Sequence, residues 1–138
     1  MSTSEHTLRA IGHVRSSLSA CADAPRQGDE GAPHAWLVVH ESAQSGLKGI
    51  AAGDEILVLT WLHQARRDLL EVQPRDDPSR PLTGVFATRS ADRPNPIGLH
   101  RVRVLAVRAG ELEVAPLEAI DGTPIVDIKP VLLDVDDR

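Results

Sequence analysis

The strongest constraint on this chain is a missing pattern: no stretch of its 138 residues sustains the 3.6-residue period of an amphipathic helix. Its apolar residues come instead in short, β-branched runs. Trp36 to His40 reads WLVVH and Ile56 to Leu62 reads ILVLTWL, each with the length and composition of a buried strand. Leu8 to Arg15 reads as an opening strand, and Leu69 to Val72 and Val85 to Thr88 as shorter ones. Val102 to Arg108 and Glu111 to Pro116 alternate apolar and charged residues around Ala109-Gly110, as a hairpin does. Ile125 to Ile128 is the last strand, and Leu132 to Arg138 an acidic tail. Strands that do not alternate with long helices argue against a doubly wound sheet. The expected fold is mainly β, a barrel or closely related sheet, with short helical turns in loops such as Glu41 to Asp54.

The length suits one domain over residues 1–138, able to bury roughly two thirds of its unfolded surface without a disulfide or metal. The single cysteine, Cys21, has no intrachain partner, which suits a reducing cytoplasm. The N-terminus MSTSEHTLRA lacks the apolar core of a signal peptide, and no apolar run approaches a membrane span. A soluble, cytoplasmic protein is expected. A net charge of -5 argues against gripping nucleic acid with the whole surface. Locally, Arg89, Arg93, Arg101 and Arg103, with His100 among them, face only Asp92, so a polyanion has one plausible landing place. With Trp36, Trp61 and Phe86 as the only aromatics, a stacking platform for single strands is disfavoured.

Four segments carry chemistry. GVFATRSADRPNPIGL, Gly84 to Leu99, is stiffened by Pro94 and Pro96, which remove backbone donors and hold Arg89, Ser90, Arg93 and Asn95 at a strand end. From chemistry alone it reads equally as a rigid surface turn. LEAIDGTPIVDIKP, Leu117 to Pro130, places Asp121-Gly122 in a tight turn, where Gly122 supplies a positive φ; a plain Asx-capped turn is the simpler reading. Pro25-Arg26-Gln27 lies in the long loop Ser16 to Pro33, and His63-Gln64 ends the Ile56 to Leu62 strand, where a lone His is more often structural. There is no GxGxxG, phosphate loop, HExxH, Cys pair or GxSxG elbow.

Together these segments resemble the TrmO family (TsaA-like, YaeB-like), from about Ile11 in IGHVRSS to Leu133. The resemblance implies a small mixed β-barrel that dimerises and binds S-adenosyl-L-methionine without a Rossmann domain. It implies N6-methylation of N6-threonylcarbamoyladenosine at position 37 of tRNA. Carried over by motif, the cofactor contacts fall on Pro25, Arg26, Gln27, His63, Gln64, Arg89, Leu99, Ala119, Ile120, Asp121 and Gly122. The chain departs from the family at Ala91-Asp92, at His100, where Ser is common, and at Val131. Tested against the family, the C-terminal domain of tRNA-modifying members is expected to be absent from residues 1–138.

Methyl transfer from a sulfonium is an in-line displacement that needs alignment and a partly desolvated site, with no metal. A carbamoylated N6 must also lose a proton, which calls for a general base. Asp121 and His63 are the candidates by motif position. Arg93, Asn95, His100 and Arg101 are the expected substrate contacts, the basic ones at tRNA phosphates. The rival readings are a cofactor-binding regulatory or accessory module without turnover, and a methyltransferase of small molecules.

Overall fold

A computed structural model of the chain describes residues 4–17 and 34–133. Six of its strands close a barrel in the order β1-β2-β7-β6-β3-β8: β1 (Gly12–Arg15), β2 (Ala35–Val39), β3 (Glu55–Trp61), β6 (Ile97–Arg108), β7 (Glu111–Ala115) and β8 (Pro124–Pro130). The mainly β barrel expected from the sequence is present. Its pairings are all antiparallel, so the strands are not mixed in direction.

Strict alternation decides which side chains fill it. In β3, Ile56, Val58 and Thr60 point inward; in β7, Leu112 and Val114 do. Ile56, Val58, Leu112 and Val114, with Val14, Leu37, Val102, Val104, Leu117 and Ile125, form one aliphatic core of almost fully buried residues. β6 is the longest wall. Its first half, Ile97 to Arg103, pairs with β3, and its second half pairs with β7. The register shifts between Val104 and Ala106, a bulge that lets one strand turn a corner of the barrel. A second shift, at Val126 of β8 opposite Leu59 and Thr60, does the same on the other flank.

The remaining elements sit outside the barrel. A 3-10 helix spans Glu41–Leu47, where a helical turn was expected. Between β3 and β6 the chain makes a long excursion, residues 62–96, holding the two-stranded ladder of β4 (Glu71–Val72) and β5 (Thr83–Gly84). Two expectations fail here. Val85 to Thr88 is not a strand: Val85–Ala87 is a 3-10 turn, because the Val85 carbonyl accepts from Thr88 N, Thr88 Oγ1 and an Arg93 nitrogen instead of a neighbouring strand. Leu8 to Gly12 likewise contributes only its last residue to β1. The hairpin at Ala109-Gly110 and the last strand, now extended to Pro130, are as read from the sequence.

Candidate functional site

The ends of three strands define the site. Trp61 at the end of β3 pairs with Ile97 at the start of β6, and Thr60 pairs with Ile125 near the start of β8. At this end of the barrel the excursion arches over the strand termini and leaves a cleft of about 970 Å3. That volume lies within the range that holds cofactor-sized ligands.

The excursion is lashed down by polar contacts. Arg93 donates from its guanidinium to the carbonyls of Thr88, Ser90 and Val85 at 3.2, 2.9 and 2.9 Å, and its backbone N–H to the Arg66 carbonyl. Arg66 N–H in turn donates to Asp92 at 2.8 Å. Arg67 donates to the Pro94 carbonyl at 2.7 Å and to Asn95 Oδ1 at 3.2 Å while stacking over Trp61, 5.1 Å from its ring centre. The two prolines therefore stiffen a loop whose shape is set by three arginines.

Of the sequence-derived site residues, His63, Gln64, Arg89, Leu99, Ala119 and Ile120 all line the cleft. Arg89 is exposed and makes no hydrogen bond or ion pair among the described residues. Leu99 projects from β6 with 46% exposure, and Leu62 and Ile97 continue the apolar surface. Ala119 and Ile120 form the opposite, buried strip. Asp121 and Gly122 do not line the cleft. Asp121 Oδ1 accepts from Ser16 N–H at 3.0 Å, tying the turn to the end of β1, and Gly122, at φ 84°, donates its N–H to the Val14 carbonyl. Pro25, Arg26 and Gln27 lie outside the described residues.

The expected substrate contacts Arg93, Asn95, His100 and Arg101 all have partners within the protein. Arg93 is spent on backbone carbonyls of its own loop, and Asn95 accepts from Arg67. Arg101 pairs with Glu55 on the outside of the barrel, through two nitrogens at 2.6 and 2.8 Å, with Arg103 at 3.3 Å. The Arg101 hydrogen bond first, then the charge of the same side chain, hold Glu55 below the usual carboxylate range. His100 is buried at 7% exposure, because β6 alternation points it inward. Its Nδ1 lies 2.8 Å from Glu118 Oε1 and its Nε2 2.8 Å from Thr60 Oγ1. Arg93 and His100 also line the cleft.

Sequence reasoning passed over Glu118 and Thr60. Both had a signal: Thr60 is a polar residue in the inward register of an apolar strand, and Glu118 stands inside LEAIDGTPIVDIKP, directly before Ala119. Burial, the largest influence on Glu118, pushes its carboxyl up; the hydrogen bond and charge of His100, with its own backbone N–H, outweigh this and leave it below the usual range. Gly98 makes the arrangement possible. A Cβ there would collide with Thr60 Oγ1 and stand 2.8 Å from His100 Nε2.

Residues 13–137 match the tRNA-methyltransferase O N-terminal domain. The chain belongs to the TrmO family. It is 40% identical over 137 residues to a probable S-adenosyl-L-methionine-binding protein of Methanothermobacter thermautotrophicus, covering 99% of this chain and 97% of that one. It is 40% identical to an S-adenosyl-L-methionine-binding protein of Archaeoglobus fulgidus, with 94% and 91% covered. Among solved structures, TrmO from Pseudomonas aeruginosa superposes with a TM-score of 0.75 at 31% identity over 99% of this chain. The chain spans 61% of that TrmO chain's length. The non-Rossmann barrel is thus the TrmO methyltransferase fold. Among the described residues, no helix is long and apolar enough to cross a membrane.

Proposed function

We propose that this chain binds S-adenosyl-L-methionine in the cleft and transfers its methyl group to N6 of threonylcarbamoyladenosine at position 37 of tRNA. One observation carries the reading. Segments far apart in sequence, around residues 63, 89, 99 and 119, converge on a single cleft, and they are the segments that resemble the TrmO motifs.

The side chains present fit the cofactor's chemistry. Arg89 offers an uncommitted cation for a carboxylate, Leu62, Ile97 and Leu99 offer apolar surface, and Glu71 and Asp76 place negative charge on the lining for an ammonium and a sulfonium. Bound there, S-adenosyl-L-methionine supplies an electrophilic methyl group. The chain's own part is positional: the arginine-lashed excursion and the strip at Ala119 and Ile120 confine the reactants and exclude water. His63 lines the cleft, whereas Asp121 ties its own turn to the end of β1. The reading treats residues 1–138 as one cytoplasmic domain that acts as a homodimer. The outward row Ile97, Leu99, Leu105 and Val107 of β6, each more than a third exposed, favours self-association.

The test is incubation of the protein with methyl-labelled S-adenosyl-L-methionine and tRNA carrying threonylcarbamoyladenosine, followed by nucleoside mass spectrometry. Methylated threonylcarbamoyladenosine is the expected product; none at saturating cofactor refutes the transfer. Arg89→Ala is expected to weaken cofactor binding by about 10- to 100-fold in calorimetry, as loss of a charge-assisted hydrogen bond does, with unchanged melting. Unaltered affinity removes Arg89 from the site. A second reading, a binding module without turnover, is favoured by the binding-protein names of relatives of nearly this length. It is chosen if the cofactor binds tightly and no RNA is methylated.

A further inference from the structure

The cleft adjoins a smaller depression of about 670 Å3 on the β6 and β7 side, and the two share Leu99, His100 and Glu118 as common lining. Among the described residues, Glu118 is the only carboxylate that faces both. With the cofactor in the larger cavity and the methyl acceptor in the smaller, a carboxylate that lines both stands between donor and acceptor.

Glu118 is also the best-held acid of the site. Its carboxylate has no proton to give, so His100 Nδ1 carries the hydrogen and donates it to Oε1 at 2.8 Å. The far side of the ring is fixed by Thr60, fully buried, at 2.8 Å from Nε2. Among the described residues His100 is the one side chain that hydrogen-bonds this carboxylate, and the Glu118 side chain keeps 23% exposure while that of His100 has 6%. The array therefore buries its inner members and leaves the Glu118 carboxylate partly exposed where the two cavities meet. His63, by contrast, is exposed, with no partner among the described residues to fix its ring. Asp121 has an oxygen committed to Ser16 outside the cleft. A base works when its geometry is set beforehand.

Building on the methyl-transfer reading above, we infer that Glu118 is the proton acceptor of the reaction and that His100 and Thr60 are its positioning residues. The acceptor nitrogen bonds to the methyl carbon as the carbon–sulfur bond breaks, its electron pair remaining on sulfur. The nitrogen's proton passes to the Glu118 carboxylate and from there to solvent. Gly98 belongs to the same device, since only a bare backbone leaves room for the Thr60–His100 contact.

The experiment compares wild type with Glu118→Gln, Glu118→Asp, His100→Asn and His100→Ala, using methyl-labelled S-adenosyl-L-methionine and tRNA carrying threonylcarbamoyladenosine. Removal of a general base lowers kcat by about 10²- to 10⁴-fold. That loss is expected for Glu118→Gln, with KM for tRNA and calorimetric affinity for the cofactor within about threefold of wild type. Glu118→Asp recovers part of the rate. His100→Asn, whose amide replaces the Nδ1 donor, retains more kcat than His100→Ala, a split that a purely structural histidine would not produce. In the free protein, nitrogen-edited NMR shows a protected ring N–H of His100 that is lost or shifted upfield in Glu118→Gln. An active wild type with Glu118→Gln at near-normal kcat overturns the inference alone. A wild type that binds cofactor and methylates no RNA overturns the underlying reading, and the inference with it. A His100 ring unaffected by Glu118→Gln in the NMR spectrum rejects the positioning array on its own.

Discussion

The barrel wall and the excursion over residues 62–96 keep their shapes by different physics. The wall rests on continuous antiparallel ladders around a dry aliphatic core, with Leu37, Leu112, Leu117 and Ile125 all fully buried. The excursion buries little apolar surface: Leu70, Leu82 and Phe86 are 62%, 62% and 78% exposed, and its one ladder is two residues long on each strand. It is held by Arg66, Arg67 and Arg93 reaching backbone carbonyls and Asp or Asn side chains. Segments of the second kind open at lower free energy than the core. The cleft lies between the two, with strand ends as its floor and the excursion as its roof.

The largest effect is expected in the wall. Leu37→Ala deletes a fully buried side chain and is expected to cost about 2–5 kcal/mol in chemical denaturation. A cost near that of a surface change would mean that the core does not carry the fold. Next comes Gly98→Ala, where the new methyl group displaces Thr60 or His100. Loss of their buried hydrogen bond is expected to cost about 1–3 kcal/mol, and a crystal structure of the variant should show the pair apart. Arg93→Ala tests the roof: overall stability should fall by only about 1 kcal/mol, while proteolysis and hydrogen exchange rise within residues 85–93. If protection there is unchanged and the barrel melts instead, the two regions are one cooperative unit.

The smallest effect is electrostatic. Because Glu118 ionises below its ordinary value of 4.5 in the folded chain, its contact with His100 adds stability above pH 4.5. That contribution disappears as pH falls through the lowered value. Acid titration of the folded fraction should thus be steeper for wild type than for Glu118→Gln below pH 4.5. Equal slopes would show that the contact adds nothing to folding.

Period-two patterning made the wall legible before any coordinates: Trp36 to His40, Ile56 to Leu62 and the hairpin at Ala109-Gly110 reappear as β2, β3 and the β6–β7 turn. Alternation is a local property, imposed on every strand with one buried face. The excursion was legible only as punctuation, because its conformation depends on which carbonyl each guanidinium reaches, and nothing in local spacing encodes that. Arg93 shows this: its charge suggests a phosphate contact, and its guanidinium reaches three carbonyls of its own loop. The burial of His100 is a related case. Strand β6 begins at Ile97, five residues before the alternation was recognised at Val102, so the inward register that buries His100 went unseen. The cleft lining at residues 63, 64, 89, 99, 119 and 120 was found by motif, which reports what a segment assembles into without saying why.

The two tryptophans divide along the same line. Trp36 on the barrel lies between Arg15 and Arg108, at 5.5 and 4.8 Å from their guanidinium carbons, whereas Trp61 is covered by Arg67, the side chain that pins Pro94 and Asn95. With no tyrosine in the chain, ultraviolet emission comes almost wholly from these two indoles. Each single-tryptophan version of the protein is consequently a built-in optical gauge, one reading the unfolding of the wall and the other the lifting of the roof.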